Sequence, residues 1–482
     1  MTSTWPSPPP FARWAVLPIA AAVAVVQLVA ATRSGYWFDE VYMLAIGRNH
    51  LDWGSADQPP MTPALAWLMD AIAPGSVLAL RLPAVLATAA AVVVAALIAR
   101  ELGGDRRAQA MTAGVQATAL WITLAGHWLT PYTLEPVQWL LLLWLLIRWI
   151  RLRDDRLLLA LGAVAGIAAM TKFQVVLLCA ALLLSVLLLG PRELLARPLL
   201  WAGVGIAGLL AAPTLVWQAV HGWPQLRMSG IVIAEAEALY GGRPGVAFGM
   251  IAVAGLAGTV LSLYGLWRLA RTDDLRFLAL TTALLYALFV IAPGRPYYLG
   301  GLYAVLAAAG ALGLQRRREA GSGRRRWVAW PAFALSAALA AGILTLPVAD
   351  VSDRMGDALA RRAADVYHAL PPEQRERTAL IGDPYIAAAY LDGYSTRYDL
   401  PPAHSTNRGY GYFPPPPEST DAAVYVGADP NELRPYFTDA RLIARGTPTN
   451  TVWLVTGRHT PWTRIWTDLR TLDVEHHGTP PR

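Results

Sequence analysis

This 482-residue chain contains one cysteine and one lysine. The cysteine, Cys179, lies inside an apolar run, which excludes a disulfide framework and a cysteine-based metal site. Charge is scarce as well: 15% of residues are Asp, Glu, Lys or Arg, where soluble domains carry roughly 25%. With 55% hydrophobic residues, the chain is neither an ordinary soluble enzyme nor a disordered one. A formal charge of +7 on such a length is no argument for a nucleic-acid partner. No repeat is visible, and low complexity is limited to the proline runs 8–10 and 414–417.

What is present is a succession of apolar runs near the 20-residue length that crosses a bilayer core. They fall at 12–31, 77–100, 108–126, 133–150, 157–171, 173–190, 198–220, 246–270, 277–293, 297–314 and 327–347. The expectation is an all-α polytopic membrane protein with about eleven transmembrane helices. Arginine supplies all the basic side chains except Lys172, and its loops alternate. Arg106 and Arg107, Arg151 to Arg156, Arg192 and Arg197, Arg271 and Arg276, and the tract Arg316 to Arg326 mark one side. Loops 32–76, 127–132, around 172, 221–245 and 293–297 carry few arginines and mark the other. By the positive-inside rule the N-terminus is cytoplasmic and the tail after about 348 is external, as in a multi-pass plasma (inner) membrane protein. The first run also ends in Val29-Ala-Ala31, which resembles a signal-peptidase site. Its length and its poverty in basic residues favour an uncleaved helix.

The domains read as 1–347, including an external loop 32–76, and a tail 348–482. In the tail, Thr378–Ile381, Ala422–Val426 and Thr451–Val455 read as strands, and 355–369 as amphipathic helix. A small α/β external domain is expected.

The chemistry gathers at the arginine-poor side. Gly35-Tyr-Trp-Phe-Asp-Glu-Val-Tyr42 puts Asp39 and Glu40 just beyond the first span, where a carboxylate avoids the cost of the bilayer centre. A helix over 41–50 and another over 63–71 would lie along the interface. On spacing alone the acid pair would equally serve as N-terminal charges of the first of these helices. Glu135 stands in the next outward turn, again at a helix start. Lys172 follows in Met170-Thr-Lys-Phe173, where an isolated lysine would ordinarily snorkel. His221 opens the fourth outward loop in a context where a histidine is most often structural, and Arg295 marks the fifth. Each residue alone has a structural explanation; their recurrence on one side suggests a pocket. Carboxylates to take a proton and cations to neutralise a departing phosphate suit group transfer from a lipid phosphate.

The ordered series Phe38-Asp-Glu-Val-Tyr42, His50-Leu-Asp-Trp-Gly54, Asp57-Gln-Pro-Pro60, Ala79-Leu-Arg-Leu-Pro83, Ala99-Arg-Glu-Leu-Gly103, Thr171-Lys172, His221-Gly-Trp-Pro224 and Arg295-Pro-Tyr-Tyr298 resembles bacterial members of the glycosyltransferase 39 and 83 group. That group contains protein O-mannosyltransferases and the lipid A aminoarabinose transferase. The resemblance covers about 30–310, with a looser echo in Ser405-Thr-Asn-Arg-Gly-Tyr410. It implies a GT-C fold, a polyprenyl-phosphate sugar donor, a lipid, glycan or protein hydroxyl acceptor, and inversion at the anomeric carbon. It assigns Asp39 as general base, Glu40 as its neighbour in the acidic pair, and Glu135 to a second-loop acid position where relatives usually have aspartate. Asp57 stands at the acid before Pro-Pro, and Gln58 replaces a lysine or histidine found in several relatives. Lys172 and Arg295 take the donor-phosphate positions, with Tyr297 and Tyr298 at the lipid entrance. In some members a divalent metal sits between the equivalents of Asp57 and His221, which are therefore candidate ligands here. A transporter or flippase of lipid-linked precursors is the competing class. Transporters put polar groups at the bilayer midplane, whereas here the spans are clean and the polar residues gather at one rim.

Overall fold

The computed structural model describes residues 7–32, 35–321, 329–346, 348–446 and 451–473. Arg324, Arg325 and Arg326, used above for orientation, lie outside the described residues. The chain divides into two compact units. The first comprises Met1–Ala31, Arg81–Val216 and Val232–Leu346; the second comprises Thr32–Leu80, Trp217–Ile231 and Pro347–Arg482.

In the first unit helices occupy most of each expected apolar segment, although residues 297–302 are turns and the helix of the 297–314 segment starts only at Tyr303. Arg13–Ala31, Val77–Glu101, Pro131–Leu152 and Pro198–Val220 are long and apolar enough to cross a membrane on their own. Arg156–Thr171, Gln174–Leu189, Arg276–Ile291 and Pro331–Leu344 are apolar but shorter. Large apolar side chains such as Leu209 and Val220 stand well exposed on these helices, as lipid-facing residues do. The protein is a multi-pass membrane protein.

Two expected spans are broken. The 108–126 segment divides at Ala119, whose extended backbone separates Arg106–Thr118 from Leu120–Ala125. The 246–270 segment divides into Gly242–Ala252 and Gly255–Leu269, which meet at 94°. The two breaks satisfy each other: Leu120 N–H donates to Val253 O at 2.9 Å. Gly255, at φ +75°, leaves room for Thr118 O, which a Cβ there would meet at 2.9 Å. Ser336 Oγ accepts Ala257 N–H at 2.8 Å, so an orphaned donor of the second helix is also used. Helices Gly255–Leu269 and Tyr303–Glu319 then close together through Gly265 and Gly310. A Cβ on Gly310 would lie 2.3 Å from Leu261 O, so only glycine permits that approach. The core includes Trp139, Trp149, Phe277 and Ile98, all fully buried.

The second unit carries a five-stranded mixed sheet of order β2-β1-β3-β5-β4. Its strands are β1 (Thr378–Gly382), β2 (Ala403–His404), β3 (Ala422–Val426), β4 (Phe437–Ala444) and β5 (Val452–Arg458). β1 pairs in parallel with β2 and β3, while β5 runs antiparallel to β3 and β4. β1 and β3 are buried along their whole length, as unbroken apolar strands under helices on both faces should be. Trp462 and Trp466, on helix Trp462–Leu469, pack with Ile381, Tyr425 and Val455 on one face. Within this same unit, loop 32–80 supplies helices Phe38–Asn49 and Met61–Ile72. Arg48 ties the loop to the tail: it holds the Asp70 carboxylate at 2.9 and 2.7 Å and donates to Asp392 O at 2.7 Å.

Candidate active site

In the second unit the helix over the acid pair begins at Phe38, three residues earlier than expected. The reason is Glu40: its Oε1 accepts Trp37 N–H at 2.8 Å, reaching back as the third helical residue of a capping box does. Glu40 is buried by this role, while Asp39, one position earlier, is half-buried in the first turn. Both carboxylates thus sit at the positive end of the helix dipole.

The next turn brings Tyr42, fully buried, over the Asp57 loop. Its hydroxyl donates to Asp57 Oδ1 at 2.7 Å and accepts Gly409 N–H at 3.1 Å. Ser55 Oγ adds a 3.3 Å bond to the same carboxylate oxygen, and closes the turn by accepting Gln58 N–H at 3.1 Å. Burial pushes the Asp57 carboxyl above the usual carboxylate range, against the opposing pull of Arg408. Gly409 cannot carry a side chain here, since a Cβ would lie 2.2 Å from the Tyr42 hydroxyl. The looser sequence echo at 405–410 therefore lands on the Asp57 loop, with Arg408, at φ 53°, and Gly409 as parts of it. Arg408 and Tyr42 were not among the expected site residues; the echo was the available signal.

His221 stacks on Trp217 at 3.9 Å, and its Nδ1 lies 2.8 Å from Trp217 O. A carbonyl only accepts, so Nδ1 carries the proton and, in the neutral ring, Nε2 holds a lone pair. Trp217 Nε1 donates to Asp52 Oδ2 at 2.8 Å and Gln218 Nε2 to Ser55 O at 3.0 Å. These bonds tie the His221 segment to the loop bearing Asp57 and Gln58. Among the described residues, no three His, Cys, Asp or Glu side chains form a group able to hold a metal ion. Asp57 and His221 offer two ligands at most, and the donor set by itself does not make a metal centre.

In the first unit the sole lysine is fixed on several sides. Lys172 ends helix Arg156–Thr171, and its Nζ lies 3.4 Å from Glu135 Oε2. The ammonium also sits 4.3 Å from the centre of the Tyr298 ring and 5.5 Å from that of Tyr297. Tyr297 is itself stacked on Trp121 at 4.1 Å. Glu135 is buried in the second turn of helix Pro131–Leu152, and its other oxygen, Oε1, has no hydrogen-bond partner. Arg295 pairs through Nη2 with Glu235, a carboxylate sequence reasoning did not single out. Its Nη1 is buried without a hydrogen-bond partner. The guanidinium lies 5.7 Å from the Tyr240 ring and within electrostatic reach of Tyr297 and Tyr298. One cluster thus joins Glu135, Lys172, Arg295, Tyr297 and Tyr298, and adds Glu235 and Tyr240. Asp39, Glu40, Asp57, Gln58 and His221 belong to the second unit.

Residues 57–217 match the family model described as dolichyl-phosphate-mannose-protein mannosyltransferase. The fold is similar to that of ArnT from Cupriavidus metallidurans in the apo state, with TM-score 0.64 and 15% identity over 91% of this chain and 97% of that one. The same protein bound to undecaprenyl phosphate gives TM-score 0.66 and 16% identity over 92% and 98%. Arabinofuranosyltransferase AftD from Mycobacteria shares 16% identity at TM-score 0.54, covering 95% of this chain and 41% of that one. No curated protein matches by sequence. The family match is confined to residues 57–217, while the likeness of fold to ArnT extends over nearly the whole chain.

Proposed function

We propose that the protein moves a sugar from a polyprenyl-phosphate donor to a hydroxyl acceptor on the outer face of the plasma membrane, with inversion at the anomeric carbon. The observation that carries this reading is the cation–aromatic cluster. Lys172 and Arg295 each hold one carboxylate, and each is placed beside tyrosine rings. A phosphate can take the donors of both cations, and the rings offer a flank to an isoprenoid chain. ArnT crystallised with undecaprenyl phosphate supports a lipid phosphate as the donor's anchor.

In the reaction, the acceptor oxygen attacks the anomeric carbon from the face opposite the phosphate. Asp39 takes the hydroxyl proton as the new C–O bond forms, a contribution of typically 10²–10⁴-fold. The bond from the anomeric carbon to the phosphate oxygen breaks, and its electron pair stays on the lipid phosphate. Lys172 and Arg295 neutralise that growing charge, each well-aimed donor being worth about 3 kcal/mol. Glu40 holds the helix start that carries Asp39, and Glu135 positions Lys172. Tyr297 and Tyr298 line the way in for the lipid. Asp57 and Gln58, in their hydrogen-bonded turn, contact the donor phosphate or its sugar. Asp57 and His221 would hold a divalent cation only with phosphate oxygens completing its shell; a chelator tests whether turnover needs one. Alternation of the arginine loops supports an N-terminus inside and a tail domain outside.

The test is to incubate the purified protein with a panel of polyprenyl-phosphate sugars and follow each by mass spectrometry. The reading expects release of free polyprenyl phosphate from one donor class. Intact donors across the panel, in protein shown to be folded, would contradict it.

A further inference from the structure

A cavity lies in the first unit, among the arginine-bearing loop ends and apart from the Lys172 cluster. It measures about 230 Å³ and is bounded by Glu101, Arg268, Thr272, Asp274 and Arg316 over a floor that includes Leu102 and Leu312. Its charge is one-sided. Glu101 is fully buried and already held by three guanidiniums, those of Arg100 at 3.1 Å, Arg148 at 2.9 Å and Arg151 at 2.7 Å. Arg268 and Arg316, in contrast, have no carboxylate within ion-pair distance among the described residues. Asp274, exposed at the rim, is the other acid of the lining. With Glu101 already neutralised by arginines outside the lining, Arg268 and Arg316 face Asp274 as the remaining acid of the cavity.

Arg268 is also held in place. Its stem crosses helix Tyr303–Glu319 at Gly313, where an added Cβ would lie 2.3 Å from Arg268 Cδ and 2.8 Å from Nε. Thr272 Oγ1 donates to Arg268 O at 2.9 Å, which fixes the helix end that presents the guanidinium. The fixed Arg268 and the exposed Arg316 over a leucine floor fit an amphiphile: an anion to meet the guanidiniums, and a chain to cover the leucines.

We propose that this cavity binds the phosphate group of an anionic membrane lipid, on the arginine-rich face of the protein and apart from the transfer reaction. Phosphate diesters suit guanidinium forks, and basic pockets between spans take such headgroups. The site requires no particular donor or acceptor, so it stands or falls separately from the proposed function.

The test is native mass spectrometry of the full chain in detergent with added phosphatidylglycerol, phosphatidylethanolamine or inorganic phosphate. The protein should retain phosphatidylglycerol over the zwitterionic lipid. The double substitution Arg268→Gln with Arg316→Gln should lower that retention by at least about fivefold. Asp274→Asn, an exposed change that should not disturb folding, should raise it. Equal retention of both lipids, or no loss in the double variant, would overturn the site. Inorganic phosphate competing as well as the lipid would overturn the lipid as its source.

Discussion

The Lys172 ammonium lies 3.4 Å from the buried Glu135 carboxylate and 4.3 Å from the centre of the Tyr298 ring. A lysine that merely snorkelled would have water around its nitrogen, yet this one is held between a carboxylate and two rings. Lys172→Ala should raise KM for the lipid donor and lower kcat/KM by roughly a hundredfold, the loss of about 3 kcal/mol of phosphate stabilisation. Lys172→Arg keeps the charge but changes its shape, and should recover only part. Steady-state kinetics with a fixed acceptor checks both. Altered acceptor affinity with unchanged donor KM would move Lys172 out of the phosphate site.

Arg295 places Glu235 in the argument. With Nη2 on Glu235 and Nη1 buried without a hydrogen-bond partner, the guanidinium is held through one nitrogen and has a donor to spare for phosphate. Glu235→Gln should weaken donor binding about tenfold, as loss of one charge-assisted hydrogen bond does. Arg295→Lys should do more, because an ammonium cannot serve two oxygens in that geometry. Donor titration of each purified variant measures this.

Tyr42, Asp57 and Gly409 form a unit whose energetics separate cleanly. Tyr42→Phe removes a buried hydroxyl used twice and should destabilise the second unit by about 1–3 kcal/mol. Gly409→Ala should cost more, since its Cβ would lie 2.2 Å from that hydroxyl. The double variant should be more stable than Gly409→Ala alone, because phenylalanine lacks the clashing atom. Denaturation of the three variants decides it, and strict additivity would contradict the contact.

Stability should depend on pH through two opposing sets of groups in the second unit. Burial pushes the His50 ring down to about 4, aided by His404, and burial pushes His404 to about 4 as well. The unfolded chain binds these protons first, so their contribution is complete above about 6.5 and is lost as pH falls towards 4. Burial pushes Asp392 up to about 7, against hydrogen bonds from Ala403 N–H and Tyr410. The folded state holds that proton more tightly, so this contribution is complete below about 4 and is lost as pH rises towards 7. The two histidines raise stability from pH 4 to 6.5, and Asp392 and Asp57, both pushed up by burial, act against that rise. Asp392→Asn should steepen that rise. Denaturation midpoints across the range test the sign.

Much of this was legible in the sequence because long apolar runs fix helices whatever they pack against. The breaks at Ala119 and Val253 were not, since the sequence stays apolar through both. They exist because two distant segments exchange a hydrogen bond. In the tail, β1, β3 and β5 were readable from apolar runs. β4 was not, because it is an edge strand with most side chains exposed, and β2 is two residues long. Lys172 and Arg295 stood out as isolated charges near apolar runs. Their separation from Glu135 and Glu235, 37 and 60 residues, is what hid the pairing. The capping role of Glu40 was visible in its spacing, but the Arg408–Gly409 contribution to the Asp57 loop needed the fold.

Asp39 bears the heaviest chemical load in the proposed reaction. The most direct measurement is turnover of purified, lipid-reconstituted Asp39→Asn with the donor and acceptor that the wild-type protein uses. An asparagine preserves shape and folding but cannot accept the hydroxyl proton, so transfer should fall by 10²-fold or more, about the range of general-base catalysis, with donor binding retained. Transfer at the wild-type rate would contradict the account.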